Sequence, residues 1–228
     1  MYLSRRLASQ YRYRQPDGIP LELLANAQLL QERLEQWNSA FNYSYSCQKA
    51  QGDPRMSPQV CLLLIHYHMA AITASTCLYA EEMIYDRLLP NFDCMIRLAD
   101  KLVSWWHNQP AGNTLGVPVD MGVVQPLYMI ATKCRTTSLR QKAICMLLAM
   151  PNNKGVWEGP IVASVAQRAK DIEELGLDVE IDGVPEFRRI HSIGFEVAQG
   201  TDRVHVEFRR RPNGMDGEWE WWKECLSY

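Results

Sequence analysis

No two cysteines in this 228-residue chain are closer than eleven residues, and no Cys-x2-Cys pair occurs. That spacing excludes a zinc module of the usual kind. The chain also lacks Gly-x-Ser-x-Gly, a P-loop, Gly-x-Gly-x-x-Gly after a strand, and His-Glu-x-x-His. Hydrolase, nucleotide-triphosphatase, dinucleotide and metalloprotease chemistry therefore have no local support. Charge of one sign is missing too: the formal net charge is −2, so no overall basic field draws in a nucleic-acid backbone. The opening MYLSRRLASQYRYR has basic residues with no apolar stretch behind them, which does not read as a secretory signal. There is no internal repeat and no low-complexity tract.

What is present fits one globular unit. Hydrophobic residues make up 47% and charged residues 22%, ordinary values for such a domain. A chain of this length can remove roughly 70–75% of its unfolded surface from water. The seven cysteines, at 47, 61, 77, 94, 134, 145 and 225, read as reduced thiols. Cys61, Cys77 and Cys145 lie in apolar runs, where a thiol behaves as a small buried hydrophobe. Ser57 to Ala80 holds no Asp, Glu, Lys or Arg. It carries His66, His68, Thr73, Ser75 and Thr76, so a central buried helix is the better reading than a membrane span.

The periodicity predicts a mostly α-helical array with a small C-terminal β-hairpin, over residues 21–228, behind a basic and aromatic segment 1–20. Leu23, Leu24, Ala27, Leu30, Leu34, Trp37 and Phe41 step as one helix over 21–43. A second helix is expected from Pro58 to about Leu88 and a third from Asn91 to about His107. QPAGNTLGVPVD reads as a loop. VQPLYMIATKC and SLRQKAICMLLAM form two further helices around the turn RTTS, and EGPIVASVAQRAKDIEELGL makes another, stopped by Gly176. RRIHSIGFEV and DRVHVEFRRR pair around AQGT, with Gly200 in the turn. DGEWEWWKECL is expected to be a short helix.

Few side chains could carry chemistry. His66 and His68 sit two apart, so on a helix they point about 200° from each other and one metal cannot take both. Histidines hydrogen-bonded in a core or lining a pocket is the plain reading; a hydrogen-bond donor or proton carrier is the functional one. Glu81, Glu82 and Asp86 form a carboxylate cluster for which a solvated or Arg-paired face is favoured over acid/base work. Trp105-Trp106-His107 is either core or the wall of an apolar ligand pocket. Trp219, Trp221 and Trp222 read as packing anchors, and Arg209-Arg210-Arg211 as a solvated strand end.

One block is more specific: Pro126-Leu127-Tyr128, Ala131-Thr132-Lys133-Cys134-Arg135, Leu139-Arg140, then Gly155 and Trp157. This order resembles the C-terminal part of the helical regulatory domain of the fungal-specific transcription factor family. EEMIYDRLLPNF and VPEFRRIHSIGFEV resemble further segments of it, so the likeness covers roughly residues 20–225. The family's two-zinc, six-cysteine DNA-binding cluster is absent. The resemblance implies a helical scaffold with Lys133 and Arg135 facing partners or capping carbonyls, and a cavity that senses a small molecule. It leads to two expectations. One is a standalone domain that binds an apolar small molecule, repurposed as a cyclase of fungal secondary metabolism, possible pericyclic chemistry included. In it, confinement does most of the work and one donor among His66, His68, Tyr128 and Lys133 polarises a carbonyl. Tyr67, Trp105, Trp106 and Met129 would line the substrate site. The other is a truncated regulator acting through protein partners, as a homo-oligomer or with another chain. Neither expectation involves a cofactor, a metal, a membrane or direct nucleic-acid contact. The compartment expected is the cytoplasm, or the nucleus for a regulator.

Overall fold

The computed structural model describes residues 19–50, 57–107, 119–150, 158–198, 200–214 and 217–228. The basic N-terminal segment up to residue 18, most of the expected loop at 109–120, and Gly155 with Trp157 lie outside these. Among the described residues the fold is mostly helical with a small antiparallel sheet at the C-terminus. The helices are α1 (Leu21–Ala50), α2 (Pro58–Thr76), α3 (Leu89–His107), α4 (Val119–Lys133), α5 (Thr137–Leu148), α6 (Gly159–Glu174) and the single turn α7 (Val179–Asp182). Short 3-10 helices occupy Glu82–Leu88 and Glu186–Arg188. The strands β1 (Ile190–Val197), β2 (Arg203–Arg210) and β3 (Glu220–Ser227) follow in sheet order β1-β2-β3.

Local signals account for some of the boundaries. Ser57 accepts a hydrogen bond from the Val60 amide at 3.3 Å, and Pro58 fills the first turn of α2. Gly159 opens α6 where it crosses the end of α5; a β-carbon there would collide with the Leu147 carbonyl and with Met150 Cβ. Gly200 turns the hairpin at φ 74°, a left-handed conformation that glycine adopts without steric cost.

Two apolar clusters hold these elements. Phe92, Met95, Ile96 and Leu102 of α3 meet Leu127, Ile130, Ile144 and Leu147 of α4 and α5, all buried. Phe92 is fully enclosed, and cutting it to Ala would cost about 3–5 kcal/mol. Ile161, Val165 and Ala169 of α6 meet Ile190, Val204, Val206 and Phe208 on the inner face of the sheet. The sheet thus leans on α6 with one face and turns the other outward.

Four readings need correcting. The first helix runs on to Ala50 rather than ending near Tyr43. The second ends at Thr76, not Leu88; the Glu186 carboxylate takes the amides of Glu82 and Met83 at 2.8 Å each, which holds residues 82–88 as a separate 3-10 turn. α2 is not buried all round: Cys61, Ile65, Ile72, Ala74 and Thr76 are buried, whereas Leu63 is 44% exposed. The last segment is a strand, because Trp222, Glu224 and Leu226 alternate inward while Trp221, Lys223 and Cys225 alternate outward, and β2 offered an open edge for it to pair with.

Candidate functional site

The densest polar arrangement is a buried ion network where α4, α5 and α6 meet the start of β1. Glu173 near the end of α6 is fully buried. Its Oε1 accepts from Arg135 Nη2 at 2.8 Å and from the Ile190 amide at 2.6 Å. Its Oε2 lies 2.7 Å from Arg140 Nη2, an ion pair without good hydrogen-bond angles. Glu82, equally buried, receives Lys133 Nζ at 2.9 and 2.8 Å and Arg135 Nη2 at 3.2 Å. Arg140 Nε donates to the Ala131 carbonyl at 2.8 Å, and Arg135 Nη1 to that of Lys133 at 2.8 Å.

A second tier fixes the sheet. Arg189 grips both oxygens of Asp86, at 2.8 and 2.7 Å. His191 Nε2 stands 3.0 Å from Glu186 Oε1. Lys133 Nζ also donates to the carbonyls of Ile190 and His191, at 3.4 and 3.1 Å. Charges taken out of water survive only when paired and hydrogen-bonded. Glu82, Glu173, Arg135 and Arg140 are each ion-paired and each take part in hydrogen bonds, although Arg140 Nη2 and Glu173 Oε2 meet as an ion pair alone. Burial pushes the Glu173 carboxyl up, but Arg135 and Arg140 more than offset it and bring it down to about 2. Burial likewise raises Glu186, and His191 with the Glu82 and Met83 amides brings it below the usual carboxylate range. The arrangement is a clamp whose charges are paired with one another, not an open site for a reacting molecule.

Of the side chains singled out in the sequence, Lys133 belongs to this clamp, where it caps strand carbonyls as well as pairing with Glu82. Tyr128 is half-buried on α4 against the sheet, its ring edge-on to Phe195 with centroids 6.1 Å apart and its hydroxyl enclosed; burial raises that hydroxyl. Met129 packs against the helical core. His66, Tyr67 and His68 ride half-buried on α2. Tyr67 stacks on Trp37 of α1 at 5.4 Å and meets the edge of His68 at 5.2 Å. Asn91 Nδ2 lies 3.3 Å from His68 Nδ1, and burial lowers the His68 imidazole below its ordinary range. Trp105 and Trp106 are half-buried near the end of α3. Tyr67 and His68 therefore come together, while Lys133 and Tyr128 serve the clamp and the sheet contact.

Glu173, Arg189 and Glu186 escaped the sequence reading, and Arg140 entered it only as part of a motif with no role attached. Arg140 sits inside an ordinary amphipathic stretch, and its burial follows only from where α6 lands. Several lesser readings also change. Cys145 is exposed and Cys77 half-buried, leaving Cys61 as the buried one of the three. Trp221 is 62% exposed and anchors nothing, whereas Trp222 packs on Phe208. Arg211 is buried with its guanidinium 4.1 Å over the Trp219 ring, so the arginine run is not wholly a solvated strand end.

Two cavities stand out. One, about 180 Å³, adjoins the clamp and is lined by Tyr85, Phe92, Cys134, Arg135 and Arg189 among others. The other, about 720 Å³, is an open trough on the sheet. Neither is lined by His66, Tyr67, His68, Trp105 or Trp106. Among the described residues no group of three or more His, Cys, Asp or Glu could hold a metal ion, and no helix is long and apolar enough to cross a membrane. No family model matches the chain, and neither a curated protein nor a solved structure matches it.

Proposed function

We propose that this chain is a helical association domain, a transcription-factor-like body that pairs with a second copy through α1 and α2 and makes no DNA contact of its own. The observation that carries this reading is an uncharged apolar seam left half open. On α1 the positions turned toward α2 are 23, 27, 31, 34, 38, 41 and 45, and no described side chain of α1 is fully buried. Leu30 and Trp37 are 43% and 38% exposed on α1, and Leu63 is 44% exposed on α2. Residues 36–47 carry no charge, nor do residues 57–80. Interface cores are depleted in charge and rich in aromatics, and Trp37, Phe41, Tyr45 and Tyr67 supply the aromatics.

A second copy is the partner whose chemistry the seam matches, since an uncharged surface offers nothing to a charged one and is complementary to itself. The size suits pairing as well. Where they overlap, α1 and α2 span about 30 by 20 Å, roughly 600 Å² in projection, against about 800 Å² per partner in a standard interface. Light scattering tests this directly. The expected mass is twice the 26.3 kDa of the chain, falling to the single-chain mass in Leu30→Glu/Leu63→Glu. A wild-type protein that stays monomeric at high concentration would sink the reading.

The small-molecule reading has one observation in its favour. Burial lowers the His68 imidazole below its ordinary range, and with Nδ1 accepting from Asn91 the neutral ring carries its proton on Nε2, a hydrogen-bond donor next to Tyr67. On this reading the domain confines an apolar metabolite and speeds its cyclisation. Incubation of the purified protein with polyene or polyketide precursors is the test, with cyclised product measured against a protein-free control. Equal conversion in both would rule it out.

A further inference from the structure

We propose that the outward face of the C-terminal sheet is a covalent capture site, in which Cys225 adds to α,β-unsaturated carbonyl compounds with His205 as its base. The sheet register carries the proposal. Glu196 of β1 lies directly opposite His205 of β2, and His205 lies directly opposite Cys225 of β3. All three are exposed on the face turned away from α6. Directly opposite residues on one sheet face have β-carbons about 4.5–5.5 Å apart, so a carboxylate, an imidazole and a thiol form a single row. That is the order in which an orienting acid, a base and a nucleophile act on one another.

The next row along the strands adds an electrophile-binding element. Gly194, Glu207 and Lys223 are opposite one another there. Gly194 leaves its place open, since a β-carbon on it would meet nothing nearer than Glu207 Cβ at 4.0 Å. Lys223 is 69% exposed and only loosely tied, with Nζ 3.5 Å from Glu207 Oε2, while Glu207 is also held by Arg209 at 3.1 Å. Both rows line the trough of about 720 Å³, a volume in the range of small-molecule sites. Cys225 is a free thiol on a paired strand, so its position is fixed by the ladder rather than by a mobile loop.

The step balances without a further reagent. His205 takes the thiol proton as Sγ bonds the β-carbon of the unsaturated carbonyl. The C=C electron pair moves toward the carbonyl oxygen, beside the Lys223 ammonium. The proton returns from His205 to the α-carbon, and nothing leaves. Glu196 acts through the imidazole as a positioning residue.

N-ethylmaleimide and iodoacetamide are suitable probes, with modification of each cysteine followed by peptide mass spectrometry. Cys47 and Cys145 are exposed thiols of the same chain and serve as internal references. With maleimide, Cys225 is expected to react about tenfold or more faster than either, and His205→Asn to remove that advantage. Lys223→Met should slow the maleimide, whose conjugated carbonyl oxygen gains charge as sulfur adds, more than iodoacetamide, which reacts by displacement of iodide. Glu196→Gln should move the pH profile of Cys225 alkylation and leave that of Cys145 in place. These side chains are exposed, so each variant keeps the packed face of the sheet. A Cys225 no faster than Cys145, or one indifferent to His205→Asn, would overturn the proposal and leave only an accessible thiol.

Discussion

The clamp around Glu173 and the seam on α1 and α2 treat charge in opposite ways. In the clamp, Glu82, Glu173, Arg135 and Arg140 are all buried, and each is matched by an opposite charge, a carbonyl or an amide. In the seam, residues 36–47 and 57–80 have no charge to match, and the apolar surface is left half open. One region has its charges paired inside the chain, and the other leaves uncharged apolar area partly exposed. The contrast suggests a division of labour. Directional pairs fix how the sheet sits against the helices, and apolar area on the flank is where association would take place.

Breaking the clamp should have the largest effect. Glu173→Gln leaves Arg135 and Arg140 short of a buried counter-charge and should cost about 3–5 kcal/mol, read as a lower urea midpoint. Acid should do part of the same. The folded Glu173 carboxyl titrates at about 2 against an ordinary 4.5, so its contribution is fully present above about pH 4.5 and is lost as pH falls toward 2. Glu186 shifts in the same direction. The urea midpoint of the wild type should therefore drop over that window, and the drop should be shallower in Glu173→Gln. If both proteins lose stability in parallel, Glu173 is not the group responsible.

Smaller effects sharpen the comparison from the other side. Arg168 and Glu224 pair at 2.6 Å across α6 and β3, but the arginine is 43% exposed. Arg168→Ala should cost only about 0.2–1 kcal/mol in thermal or urea unfolding, an ion pair of similar geometry to the clamp but bathed in water. Least of all, Leu63→Glu should change monomer stability by about 0.5 kcal/mol or less while shifting the mass measured by light scattering toward the single chain. A large loss of stability with no change of mass would mean that the seam belongs to the folding core and not to an interface.

Much of the architecture is legible in periodicity. The helical spacing of α1 and of α3 to α6, the stop at Gly176, and the hairpin about Gly200 rest on local rules that act within a few residues of chain. The site is far less legible. The helix after Pro58 looks continuous to Leu88 because nothing in CLYAEEMIYDRLL reveals that the amides of Glu82 and Met83 will be taken by a carboxylate more than 100 positions away, on Glu186. Lys133 and Arg135 could be singled out as partner-facing or carbonyl-capping, and they cap carbonyls, but their acids at 82 and 173 come from other elements. β3 reads as a short helix when taken alone, and it becomes a strand once β2 presents an edge to pair with.

By itself, then, the sequence determined a mostly helical body, the position of the hairpin, and two charge-free stretches, because helix and turn preferences and burial patterns are short-range. Only the tertiary structure decided which charges are buried together, that α2 has an open side, and that Glu196, His205 and Cys225 share a row. Those depend on the register and packing of segments far apart in the chain, where a one-residue slip would send every side chain of a strand to the opposite face.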